Sequence, residues 1–144
     1  MKFSIRVLFL FSHILSSLLY AQSGESFEWV MPGDNGFSSS FGEYRSGHFH
    51  AGIDFRTPKG VGMDIIAPYE GEVVRAKTGP WGYGHVIYFK GDNGLISVFA
   101  HLSRFADDLE EHIVEWQYKE ESYAVERWFS ANQFRYKAGD VIAK

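Results

Sequence analysis

Short runs of β-forming residues, separated by turn signals, most constrain how this chain can fold. The runs cover residues 53–56, 63–67, 71–76, 85–89 and 95–101, and further β-type segments lie at 134–136 and 141–143. Glycine and proline lie between the runs, and the Gly-Asp-Asn-Gly sequence at 91–94 predicts a hairpin. Runs this short and this regularly interrupted favour an all-β fold built as a small antiparallel sheet domain.

One segment departs from the β pattern and predicts a helix. Its apolar residues recur at helical spacing, at Phe105, Leu109, Ile113 and Trp116. Acidic residues fill the positions between them near the N-terminal end, where they interact favourably with the helix dipole. We therefore predict an amphipathic helix from residue 106 to about residue 119, inserted between strands and covering the sheet.

The first 21 residues have the layout of a secretory signal peptide. Lys2 and Arg6 supply the positive end, and residues 7–19 form an apolar stretch. That stretch is too short to span a hydrocarbon layer about 30 Å thick. We therefore predict a signal peptide at 1–21, a single domain at 22–144, and a secreted or periplasmic location without a stable membrane span after signal removal.

The charge balance argues against nucleic acid as a partner. The net charge is −4, and it becomes −6 once Lys2 and Arg6 leave with the signal, because no acidic residue precedes Glu25. An acidic chain is not attracted to a phosphate backbone. The chain also has no cysteine, so no disulfide can staple the domain and a bound metal is the candidate staple.

His50 and Asp54 form a candidate metal-ligand pair, since imidazole and carboxylate both bind zinc. Their spacing is the difficulty. On a straight strand their alpha carbons would lie about 13 Å apart. The chain must therefore bend between them, and Gly52 is the residue that would allow the bend. The alternative is an ordinary surface pair.

The other histidines have competing interpretations. His101 ends an apolar strand, where a rigid scaffold can present a catalytic group, but a core histidine bonded to a backbone carbonyl is the alternative. His85 begins a strand, and His112 is predicted to lie on the solvated side of the helix. His48 could join His50 and Asp54 as a local three-ligand set, which stays open as an alternative.

The ordered series of motifs resembles the M23, or lysostaphin-like, metallopeptidases from about residue 37 to residue 144. The opening match is the run at 38–45 followed by His50-Ala51-Gly52-Ile53-Asp54. The later matches are Ala67-Pro68, Gly71-Glu72-Val73-Val74, Gly82-Tyr83-Gly84, Val86-Ile87-Tyr88, Phe99-Ala100-His101-Leu102 and Gly139-Asp140-Val141-Ile142-Ala143.

This resemblance implies an antiparallel β-sheet domain with a groove over the sheet and a catalytic zinc ion. The implied zinc ligands are His50, Asp54 and the second histidine of a terminal His-x-His. His101 matches the family's catalytic histidine that does not bind zinc. The implied substrate is the peptide part of peptidoglycan, which makes the chain an exported zinc metalloendopeptidase.

The sequence departs from the family pattern because no His-x-His follows His101. We expect the chain to be truncated before its last motif, and to be inactive and incompletely folded alone. Two other interpretations stay open. A catalytically dead M23-like module could bind cell-wall enzymes or glycan. A biotinyl or lipoyl carrier domain shares the strand-and-turn pattern but would need a lysine in the turn at 91–94, which has none.

Overall fold

The computed structural model describes residues 27–33 and 36–144. Within these ranges the chain forms eleven strands and one helix. The predicted signal peptide at 1–21 lies outside the described residues. In the described part of the chain, no helix is long and apolar enough to cross a membrane.

The strands are short, and every pairing between them is antiparallel. They are β1 (Phe37–Ser39), β2 (Tyr44–Arg45), β3 (His48–Phe49), β4 (Asp54–Phe55), β5 (Ile65–Ile66), β6 (Gly71–Lys77), β7 (His85–Gly91), β8 (Ile96–Leu102), β9 (Glu126–Trp128), β10 (Arg135–Tyr136) and β11 (Val141–Ala143). The helix, α1, spans Asp107–Lys119, between β8 and β9. The predicted all-β fold with one inserted helix is therefore confirmed.

A five-stranded sheet forms the centre of the domain, in the order β10-β6-β7-β8, with β9 also paired to β6. The predicted hairpin joins β7 to β8. Its turn is closed by the amide of Gly94, which donates to the carbonyl of Gly91 (2.9 Å), and by the amide of Leu95, which donates to Asn93 Oδ1 (2.9 Å). Gly94 has φ of 82°, a left-handed conformation that glycine adopts without strain.

Helix α1 packs on one face of this sheet. Leu109 and Ile113 are buried on the helix, and they share a hydrophobic core with Phe89 of β7. The Tyr136 hydroxyl on β10 donates a hydrogen bond to Asp108 Oδ1 (2.7 Å). Burial raises the pKa of Tyr136, and the hydrogen bond to Asp108 raises it further, so the phenol stays neutral. The predicted covering role of the helix agrees with this packing.

The solvated position predicted for His112 is wrong. Its Nε2 accepts a hydrogen bond from the Trp116 indole (3.2 Å). Its ring centroid lies 5.4 Å from that of Phe134 and 5.8 Å from that of Phe129. The segment between β9 and β10 therefore packs against this side of α1, and His112 forms part of the packing.

Strand β11 lies between β5 and the segment that follows β8, and it pairs with both. Its Val141 pairs with Ile66 of β5, and Ala143 forms a bridge with Phe105 just after β8. The amide of Lys144 also donates to the carbonyl of Arg104 (2.8 Å). These pairings place residues 98–103, at the end of β8, near residues 61–63, which precede β5.

Candidate metal site and catalytic cleft

Two small sheets fix the backbone on either side of His50 and Asp54. His50 extends the β2–β3 hairpin, because its amide donates to the carbonyl of Glu43 and its carbonyl accepts from the amide of Gly42, both at 2.8 Å. Asp54 begins β4 and pairs with Ser39 of β1. The chain bends between these two anchors at residues 51–53, where Gly52 lies. As a result, His50 Nε2 lies 3.1 Å from Asp54 Oδ1.

A frame of neighbouring groups orients both side chains. The Nδ1 atom of His50 lies 3.0 Å from the carbonyl oxygen of Ser40 and 3.1 Å from Ser39 Oγ. Arg45 donates to Asp54 Oδ2, and its Nη2 also donates to Ser39 Oγ (3.0 Å). Each candidate ligand therefore has its outward atom held by a hydrogen-bond partner, while Nε2 and Oδ1 face each other.

The separation of the two facing atoms fits two ligands of one metal ion as well as a hydrogen bond between the side chains. The carbonyl of Ser40 can only accept a hydrogen bond, so a proton on His50 Nδ1 satisfies that contact. A neutral imidazole then directs the Nε2 lone pair at the Asp54 carboxylate, and a cation or a second proton must relieve the repulsion between them. Two ligand atoms at zinc-binding distances in a tetrahedral site lie about 3.4 Å apart. The observed 3.1 Å is close to that separation.

His101, the second-to-last residue of β8, has an unusual backbone conformation. Its φ is 59°, in the left-handed region that residues other than glycine seldom adopt and that is enriched at functional sites. The His101 amide donates to the carbonyl of Tyr83 (2.9 Å), and the two rings are edge to face at 6.4 Å. The His101 side chain is exposed, so the alternative of a core histidine is wrong.

Asp54 and His101 line the same cleft, which has a volume of about 500 Å³. Arg45 lies on the Asp54 side, and Val98 lies on the β8 side with His101. His50 adjoins the cleft through its contact with Asp54. The fold therefore brings together the three residues that the sequence singled out, although they come from three separate strands or strand ends.

The other histidines lie apart from this group. His48 lies on β3 opposite Arg45, and its side chain is exposed. Across residues 27–33 and 36–144, no three His, Cys, Asp or Glu side chains form a group that could hold a metal ion. The structure therefore does not assemble the alternative set of His48, His50 and Asp54. His85 packs its ring against Phe105 at a centroid distance of 5.2 Å.

Sequence reasoning assigned no role to Arg45 or Ser39. Both belong to the run at 38–45 that carries the family resemblance, but an arginine and a serine carry no metal-binding signal of their own. Their role depends on two strand pairings: β1 with β4, which places Ser39 opposite Asp54, and β2 with β3, a pairing that includes Arg45. No local pattern in the sequence reveals these pairings.

Comparisons with known proteins point to the family that the sequence motifs resemble. A family model described as peptidase family M23 matches residues 48–116, which include His50, Asp54 and His101. The cell division protein DipM of Caulobacter vibrioides (strain NA1000 / CB15N) is 28% identical over 85 residues, covering 59% of this chain and 13% of DipM. No solved structure matches. The match to the family model spans just under half of the chain, and the motifs and the fold that presents them are similar to those of peptidase family M23.

Proposed function

We propose that this chain is part of an exported zinc metalloendopeptidase that hydrolyses peptide bonds in peptidoglycan. The observation that carries the proposal is the facing pair of His50 Nε2 and Asp54 Oδ1, 3.1 Å apart, beside a cleft that His101 also lines. The match to a peptidase family supports hydrolysis, and the sequence of residues 1–21 supports export.

His50 and Asp54 are the residues of this chain that would hold zinc. Zinc bound there would lower the pKa of a bound water and polarise a substrate carbonyl. His101, exposed in the cleft, is placed to hydrogen-bond to the attacking water or to the oxyanion that develops on the carbonyl. Its left-handed backbone fixes the imidazole at the end of a rigid strand, so little reorganisation is needed during the reaction.

Arg45 is a positioning residue for the metal pair. Its bond to Asp54 Oδ2 leaves Oδ1 directed at His50, so replacing Arg45 by glutamine should free the carboxylate to rotate. Loss of such a supporting contact typically lowers metal affinity by about 10–100-fold, and we expect a decrease in that range. Calorimetric titration with zinc measures it.

Arg104→Gln is the matched control for Arg45→Gln. Arg104 also forms an ion pair with an aspartate, Asp107 (3.0 Å), but that pair lies at the start of α1. We expect its zinc affinity to equal that of the unmodified protein. Equal zinc affinity in all three proteins would show that Arg45 does not position Asp54.

Hydrolysis of purified peptidoglycan tests the proposed activity. Full-length protein with added zinc should release new amino groups, and a chelator should abolish the release until zinc is restored. Robust cleavage by the chelated protein would contradict the proposed role of zinc.

A binding or regulatory module is the alternative function. The similarity to a protein named for cell division rather than for hydrolysis supports it. Full-length protein that binds peptidoglycan without zinc and does not cleave it would support the module. The same result would overturn the peptidase proposal.

A further inference from the structure

A row of large side chains crosses the central sheet on the face away from α1. The strand register places Trp128 of β9 opposite Arg75 of β6, Arg75 opposite Tyr88 of β7, and Tyr88 opposite Val98 of β8. We call these four residues the aromatic row. Phe89, next to Tyr88 on β7, points into the core with α1, and alternation along a strand puts Tyr88 on the opposite face.

Arg75 holds the two aromatic rings of the row in place. Its guanidinium carbon lies 4.5 Å from the centroid of the Tyr88 ring and 4.9 Å from that of Trp128. Its Nη2 also forms an ion pair with Glu126 Oε1 at 2.7 Å. These contacts restrain the rings, yet Trp128 remains 70% exposed. Trp128 is therefore an oriented and exposed ring at one end of a row in which Arg75 and Tyr88 are half-buried.

The chemistry of this surface fits a sugar chain. A pyranose ring has an apolar face of C–H groups that stacks on an aromatic ring, and hydroxyl and amide groups at its edge that need hydrogen-bond partners. The row offers aromatic faces with Glu126 and Lys77 beside them; Lys77 is exposed and lies 3.9 Å from Glu126 Oε2. Tyr, Trp and Arg are also enriched at protein interfaces, so binding of a protein without binding of sugar is the competing outcome of the test below.

The row is continuous with the cleft. Val98 belongs to both, and three strand spacings of about 4.8 Å put Trp128 roughly 14 Å from it across the sheet. We propose that the aromatic row binds the glycan strand of peptidoglycan, so that an attached peptide reaches the cleft. The identity of the polymer rests on the proposed function, whereas the sugar-binding surface rests on the row itself.

Titration with a soluble oligosaccharide of N-acetylglucosamine, followed by calorimetry, tests the proposal. We expect saturable binding by the protein and a loss of about 10-fold or more in Trp128→Ala, a size typical of losing one aromatic stacking partner. Trp128→Tyr, which keeps an aromatic ring, should recover most of the affinity. Tyr118→Ala is the control, because Tyr118 is 81% exposed but lies on α1, across the domain.

The outcomes separate this proposal from the peptidase proposal. Zinc binding should be the same in Trp128→Ala as in the unmodified protein, which also shows that the variant is folded. Absence of oligosaccharide binding by the unmodified protein would overturn the glycan site. An equal loss of oligosaccharide affinity in Trp128→Ala and Tyr118→Ala would overturn it as well. A Trp128→Ala variant that binds the oligosaccharide normally but binds soluble stem peptides more weakly would also overturn it.

Discussion

Replacing His50 by alanine, or Asp54 by asparagine, is expected to abolish saturable zinc binding. Each change removes one of the two protein ligands that this chain supplies, and the loss should exceed the 10–100-fold effect typical of a supporting residue. Asp54→Asn retains an oxygen and a similar volume, so its effect would report the lost carboxylate charge rather than a packing defect. Calorimetric titration with zinc, at a pH where histidine is neutral, measures both variants.

His48→Ala is the matched control for this experiment. It removes an exposed imidazole two residues from His50, on the neighbouring strand β3. We expect it to bind zinc like the unmodified protein. A loss equal to that of His50→Ala would contradict the two-residue site and support the set of His48, His50 and Asp54.

Replacing His101 by asparagine is expected to lower peptidoglycan hydrolysis by full-length protein about 10²–10⁴-fold, the contribution typical of a general acid–base group. Asparagine is the appropriate substitution because it tolerates the left-handed backbone at φ of 59° better than alanine does. The rate of release of amino groups at saturating zinc measures the effect.

Zinc affinity provides the control for His101→Asn. The imidazole of His101 is not one of the implied zinc ligands, so zinc binding should be unchanged. Hydrolysis at the unmodified rate would show that His101 takes no part in the reaction. A parallel loss of zinc would show instead that His101 is a ligand.

The elements with strong local signals were predictable from the sequence. The turn at 91–94 specified the β7–β8 hairpin, and the spacing of Leu109 and Ile113 specified α1. Strand β9 was not predicted, because its Glu-Arg-Trp sequence has little β character and its pairing with β6 is a long-range contact. Helical periodicity also misplaced His112, since it could not show that Phe129 and Phe134 pack against that side of the helix.

The candidate site was predictable in its residues and not in its geometry. The spacing of His50 and Asp54 alone was a weak signal for metal binding, and it required a bend in the chain between them. The bend depends on two separate strand pairings, β2 with β3 and β1 with β4, which no local pattern reveals. The same pairings bring Arg45 to Asp54, so the supporting group escaped the sequence as well.

Anomalous X-ray scattering at the zinc edge, from crystals of the protein grown with zinc, tests the central claim most directly. The account predicts a peak between His50 and Asp54, about 2.0–2.2 Å from both Nε2 and Oδ1. No peak there at saturating zinc, with Nε2 and Oδ1 still within hydrogen-bonding distance of each other, would contradict this claim.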